Sequence, residues 1–218
     1  MKAKIDDVVI LKDVSKSFKG HTVLDDISIS FERNKIHGIV GRNGSGKTVL
    51  IKTICGFVKP DEGEVIVDGE HIGEDVDFPE SAGAIIETIE FIPYMSAYQN
   101  LADIAAMRGN LSKTQIKEVL EMVGLGNVGR KHVSKFSMGM RQRLAIAQAV
   151  MESPKLLILD EPMNGMDEKG VEEMRQLILA RKAAGTTIVL SSHNIEDIRI
   201  LCDQVYRIDA GVVMREVE

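Results

Sequence analysis

The chain has 218 residues, 44% of them hydrophobic, and a formal net charge of -6. That length buries a substantial core and allows one large domain, or one domain with a lobe inserted into it. The acidic total argues against a protein whose main task is gripping nucleic acid, because phosphate binding needs a positive field.

The first residues, Met1 to Asp7, carry charges with no apolar stretch behind them, so no signal peptide is expected. No window approaches the roughly 18 uninterrupted apolar residues of a membrane span. Any pore would therefore belong to a partner. Cys55 and Cys202 lie far apart, without C-x-x-C or Cys/His spacing, so buried, reduced thiols of a cytosolic protein are expected rather than a disulfide or metal site.

Val8 to Leu11 and Ile27 to Phe31 read as short strands separated by polar, Gly-bearing turns. Ile36 to Val40 is followed at once by a glycine-rich turn and a helical pattern, as in a buried strand entering a βα unit. The acidic loop Gly73-Glu74-Asp75-Val76-Asp77 reads as solvated surface. Ser112 and Gln115 form a capping-box pattern ahead of Ile116, Val119, Leu120 and Val123 at helical spacing, with Gly124 as the stop. A second helix starts near Ser137 and runs through Leu144, Ile146, Ala147 and Val150. Leu156 to Asp160 and Thr186 to Ser191 are further central-strand candidates. Between them, Val171, Met174, Leu177 and Ile178 mark one helix face, with Asp167 placed to cap its start and Gly185 to end it. Strand, helix, strand at this spacing predicts a parallel sheet with right-handed crossovers. The organisation expected is a core over about 1–93 and 152–218, with a helical lobe inserted over about 94–151.

Gly41-Arg42-Asn43-Gly44-Ser45-Gly46-Lys47-Thr48 fits G-x-x-x-x-G-K-[ST] between a strand and a helix, which is the context that confirms it. A chance glycine-rich turn is the competing reading, and strand and helix in register argue against it. The glycines let successive N–H groups converge on phosphates, and the helix N-terminus adds its positive end. Lys47 places a cation on the β- and γ-phosphates, the Thr48 hydroxyl takes one Mg²⁺ position, and Val49 completes the stretch assigned to ATP. Asp160 ends an apolar strand in the same sheet, where an acidic partner for Mg²⁺ belongs. Glu161 follows directly and points elsewhere, so one carboxylate serves the metal while the other faces the attacking water.

These residues describe a P-loop NTPase. Phe136-Ser137-Met138-Gly139-Met140-Arg141-Gln142-Arg143 then resembles the signature sequence of ABC ATPases, upstream of Asp160-Glu161-Pro162. Asn164-Gly165-Met166-Asp167 looks like the family's D-loop, His193 matches its switch histidine, and Phe18 occupies the place of the aromatic that stacks on adenine. The resemblance covers essentially the whole chain. It implies an α/β P-loop core of ABC ATPase type, with an N-terminal antiparallel β region and an inserted helical subdomain. It also implies Glu161 as general base and His193 at the γ-phosphate. Ser137, Met138, Gly139 and Met140 would close on ATP held by a second ABC ATPase subunit in a head-to-tail dimer. The ATPase would power a separate transmembrane permease, from the cytoplasmic face of the membrane. A soluble assembly or remodelling switch and a nucleotide-dependent binding module without catalysis are the competing readings.

Three residues depart from the family pattern. Met138 replaces the first glycine of the usual Leu-Ser-Gly-Gly-Gln, and Met140 replaces its glutamine. Glu87 follows Gly83-Ala84-Ile85-Ile86, which resembles the strand leading into the Q-loop, where glutamine is usual; Glu87 is expected to ligate Mg²⁺. The Ile86-Glu87-Thr88 pattern, followed by Phe91, Pro93 and Tyr94, is similar to the bacitracin and lantibiotic self-protection exporters.

Overall fold

The computed structural model describes residues 7–87, 89–108 and 111–216. The N-terminal segment read above for a signal peptide, up to residue 6, and Thr88 lie outside the described residues.

Strands β1 (Asp7–Phe18) and β2 (His21–Glu32) form one hairpin of two 12-residue strands, longer than the two short strands the sequence predicts. Lys19 and Gly20 join them with φ of 49° and 83°, the positive values that a tight two-residue hairpin turn needs. β4 (Glu62–Val67) pairs with the other edge of β1, and β5 (Glu70–His71) extends it, giving an antiparallel sheet in the order β2-β1-β4-β5.

The second sheet has the order β10-β9-β3-β8-β7-β6. Its parallel members are β3 (Ile36–Val40), β6 (Ala82–Ile85), β7 (Leu156–Asp160), β8 (Thr187–Ser191) and β9 (Gln204–Asp209), while β10 (Val212–Glu216) is antiparallel to β9. Side chains alternate across this sheet with period 2, so its parallel strands feed two cores. Leu156, Ile158, Val189 and Ile39 face the antiparallel sheet and α1 (Lys47–Ile54), packing on Phe31, Val65, Leu50 and Ile54. Leu157, Leu159, Ile188 and Leu190 face the other way, onto α4 (Met138–Val150), α5 (Glu168–Ala183) and α6 (Ile195–Leu201). Each fully buried Leu or Ile contributes about 1.5–3 kcal/mol.

α2 (Ala97–Arg108) and α3 (Lys113–Met122) pack together with α4 through Leu101, Ala105, Ile116, Leu120 and Leu144. Ser112 and Gln115 make the reciprocal capping box, and Gly124, at φ 75°, ends the helix turn. Asp167 caps α5 by accepting from Gly170 N, and Met174, Leu177 and Ile178 are buried, whereas Val171 is only half-buried. Gly185 has φ 93°, past the end of the helix. β6 ends at Ile85, one residue short of the strand read through Ile86, so Glu87 lies two residues beyond it.

Candidate functional site

The site is built at the C-terminal ends of three adjacent strands, β3, β8 and β7. β3 delivers the chain into Gly41–Gly46, where Ser45 N donates to Arg42 O at 3.1 Å and Gly44 and Gly46 take φ of 79° and 109°. The loop is wedged tightly: a methyl added at Gly46 would lie 2.8 Å from Val23 O, and one at Gly41 would collide with Ile208 O. Glycine is required at both positions. α1 then begins at Lys47 with no side-chain cap and no acidic residue in its first turn, so its first N–H groups stay available to an anion.

Lys47 is buried and turns back on its own loop, donating from Nζ to Gly41 O at 2.8 Å and Arg42 O at 3.1 Å. Ser45 Oγ is buried with no hydrogen-bond partner among the described residues. A buried ammonium held by loop carbonyls, beside a hydroxyl without a partner among the described residues, suits a polyphosphate settling into the loop. Asn43 and Gly44 are exposed at the loop's tip, and Val49 is half-buried in the first turn of α1.

Asp160 and Ser191 are register partners on β7 and β8. Asp160 Oδ1 accepts from Ser191 Oγ at 2.5 Å, and Oδ2 accepts from Thr48 Oγ1 at 2.9 Å. The hydroxyl of the cradle and the carboxylate of the strand thus converge as hard oxygen donors of the kind a small divalent cation prefers. Among the described residues no cluster of three or more His, Cys, Asp or Glu could hold a metal by itself. An ion here would depend on this hydroxyl–carboxylate pair together with phosphate oxygens.

Glu161 leaves the strand in a left-handed conformation, φ 51°. Such a conformation costs on the order of 1–3 kcal/mol and persists only where the surroundings hold it. Here Glu161 N donates to both Ser191 O (3.2 Å) and Ser191 Oγ (3.1 Å). Its Oε2 accepts from His193 N at 3.3 Å and lies 2.8 Å from His193 Nδ1. The two neighbouring carboxylates therefore diverge, one to Thr48 and one to His193. Ser191, which holds the Asp160 carboxylate and the backbone N–H of Glu161, is read from the sequence only as the end of a strand, not as a site residue. Its signal is a hydroxyl at the polar end of an apolar strand that pairs with the strand of Asp160.

Phe18 is 44% exposed at the tip of the first hairpin, with Lys16 Nζ 5.5 Å from its ring centroid. Glu87 is 61% exposed, has φ 57°, and its Oε1 lies 2.9 Å from Nζ of Lys52. Lys52 sits one helical turn after Thr48, on the same side of α1. Ser137 caps α4 by accepting from Met140 N at 3.2 Å. No hydrogen bond joins Ser137, Met138, Gly139 or Met140 to the cradle among the described residues. Cys55 and Cys202 are free, and burial pushes both thiols up to about 12, with Asp203 and Asp197 adding to the effect at Cys202.

The ABC transporter family profile matches residues 24–164. The chain is 43% identical over 199 residues to the uncharacterized ABC transporter ATP-binding protein YybJ of Bacillus subtilis, covering 91% of each. It is 36% identical to the lantibiotic transport ATP-binding protein SrtF of Streptococcus pyogenes, covering 95% of this chain and 90% of SrtF. With the bacitracin transport ATP-binding protein BcrA of Bacillus licheniformis it shares 38% identity, over 96% of this chain and 69% of BcrA. An ATP-binding cassette solved as a post-hydrolysis dimer bound to ADP and Pi superposes with a TM-score of 0.85 at 26% identity, covering 95% of this chain and 97% of that one. The chain belongs to the ABC transporter ATP-binding proteins, the family whose members bind and hydrolyse ATP.

Proposed function

We propose that this chain is the ATP-hydrolysing subunit of an exporter, driving a separate membrane permease through ATP-dependent closure of a head-to-tail dimer. The observation that carries the reading is the divergence of Asp160 and Glu161 above the phosphate loop, one onto Thr48 and the other onto His193. Loop and helix N–H groups from Gly41 to Val49 bind the triphosphate, and Lys47 leaves the Gly41 and Arg42 carbonyls for its β- and γ-phosphates. Phe18 stacks on the adenine. Thr48 and Asp160, joined by proposal to Glu87, would hold a Mg²⁺ ion, which when bound would supply positive charge to the β- and γ-phosphates. Glu161 takes the proton of the attacking water as general base. With Nδ1 of His193 engaged by Glu161, Nε2 is the ring atom left for the γ-phosphate.

Ser137 and Gly139 begin a helix whose first N–H groups form an anion site. In the dimer they close, with Met138 and Met140, on the ATP of the second subunit. Among the described residues no helix is long and apolar enough to cross a membrane. The relatives are named transport ATP-binding proteins. Both observations support a permease as a separate partner, and the lantibiotic and bacitracin relatives support export. Such a subunit works at the cytoplasmic face of the membrane.

The test is purification from detergent-solubilised membranes, followed by ATPase assay with and without the co-purified fraction. A polytopic membrane protein that co-purifies stoichiometrically and raises ATP turnover is expected. Full turnover by the chain alone, recovered without any polytopic protein, would contradict the transport reading.

A further inference from the structure

Met138 replaces a glycine of the usual signature, and the structure shows where its side chain goes. A methyl built on Gly165 would fall 2.6 Å from Met138 Cγ, 2.7 Å from Sδ and 3.0 Å from Cε. The thioether therefore lies directly on the bare face of Gly165, on the loop that follows Glu161, even though Met138 is 67% exposed to solvent. The backbones also approach closely, since a methyl at Gly139 would be 3.1 Å from Gly165 O. Gly165 has φ 77°, so this position favours glycine on conformational grounds as well as for space.

The loop beneath Met138 is a chain of turns that leads back to the carboxylate. Asn164 N donates to Glu161 O at 3.2 Å, and Met166 N donates to Met163 O at 3.2 Å. On the far side, Arg143 of α4 pairs with Glu173 of α5 at 2.6 Å, which holds the two helices to either side of the loop. The signature turn and loop 161–167 are thus in direct packing contact.

We infer that Met138 is a positioning residue: seated on Gly165, it sets the loop that carries Glu161, so that docking of the signature on the second subunit's nucleotide is felt at this subunit's own Glu161. This rests on the dimer reading given above. It goes beyond closure of the signature turn on the second subunit's ATP, because here the Met138 side chain acts through Gly165. A thioether suits the task, being flexible enough to follow the turn while keeping contact.

The experiment is a double-mutant cycle of Met138→Gly and Gly165→Ala, read as kcat, KM and the Hill coefficient for ATP. Gly165→Ala should lower kcat by roughly 10-fold with KM little changed, within the range that contacting residues show. Met138→Gly in the same chain should restore at least about a third of the lost turnover, since it removes the collision while the positive φ still disfavours alanine. Met138→Gly alone should bring the Hill coefficient toward 1, and Met138→Leu, which keeps bulk on Gly165, should leave it near the wild-type value. Turnover of the double variant equal to the product of the single effects would overturn the assignment. So would identical Hill coefficients for Met138→Leu and Met138→Gly, a comparison that stands even if Gly165→Ala does not fold. A Glu161→Gln chain that stays monomeric with ATP would instead overturn the dimer reading itself, before any change at Met138.

Discussion

Glu161 Oε2 and His193 Nδ1 meet at 2.8 Å, and the backbone N–H of His193 donates to the same oxygen at 3.3 Å. One carboxylate oxygen is thus committed to His193, which leaves Oε1 as the atom free to accept a proton from water.

Glu161→Gln keeps the bond to His193 N but removes the base. ATP binding should persist while hydrolysis falls by ~10²–10⁴, the range for a lost acid–base group. Closure would no longer be undone by hydrolysis, so the variant should form a stable dimer with ATP, visible by light scattering. Near-normal turnover would remove Glu161 from the role of base.

Glu87 and Lys52 predict a charge-compensation effect. With Lys52 Nζ 2.9 Å away, one turn after Thr48 on α1, the negative charge of Glu87 is offset. Lys52→Ala should weaken ATP binding, more at low salt because exposed charges are less screened there, and Glu87→Gln in the same chain should reverse the loss. Glu87→Gln alone keeps an oxygen at the same reach and should preserve basal ATPase, whereas Glu87→Ala should raise the Mg²⁺ concentration for half-maximal activity. Superimposable Mg²⁺ titrations for wild type, Gln and Ala would make Glu87 a surface residue only.

His37 sets a pH limit on stability. Its ring is fully buried against Phe31, Nε2 donates to Glu32 O at 2.9 Å, and burial lowers its pKa below 6.5. The folded state therefore holds His37 neutral while the unfolded chain binds a proton below that value. Stability from this source is full above pH 6.5 and is lost as pH falls toward the lowered folded pKa. His37→Phe should flatten the decline in thermal midpoint between pH 6.5 and 5, although its midpoint at pH 7.5 is lower for want of the Glu32 bond. An unchanged pH slope would show that other groups carry it.

The phosphate loop, Asp160, Glu161, His193, the Ser112 capping box and the Asp167 cap were legible in the sequence, because each depends on short spacing next to a strongly patterned element. α2 was not legible: its buried positions Ala97, Leu101 and Ala105 include two small residues, so its apolar stripe is faint. The strands β4, β9 and β10 lie toward sheet edges or are marked by mixed sequences such as Gln204–Asp209, and they gain definition from pairing rather than pattern. Ser191 under Asp160, Lys52 against Glu87 and Met138 on Gly165 join residues 31, 35 and 27 positions apart. Only the folded chain brings such partners together.

The most direct measurement mixes two inactive proteins. Lys47→Ala breaks the phosphate loop and Ser137→Arg blocks the signature, so each homodimer lacks a working site. A head-to-tail heterodimer joins the intact loop of one chain to the intact signature of the other. Random exchange should then restore roughly a quarter of wild-type ATPase if sites act independently, since half the dimers are mixed and each has one complete site. ATPase no higher than the sum of the two separate proteins, with heterodimer formation demonstrated by differently labelled chains, would contradict a nucleotide site shared between two subunits.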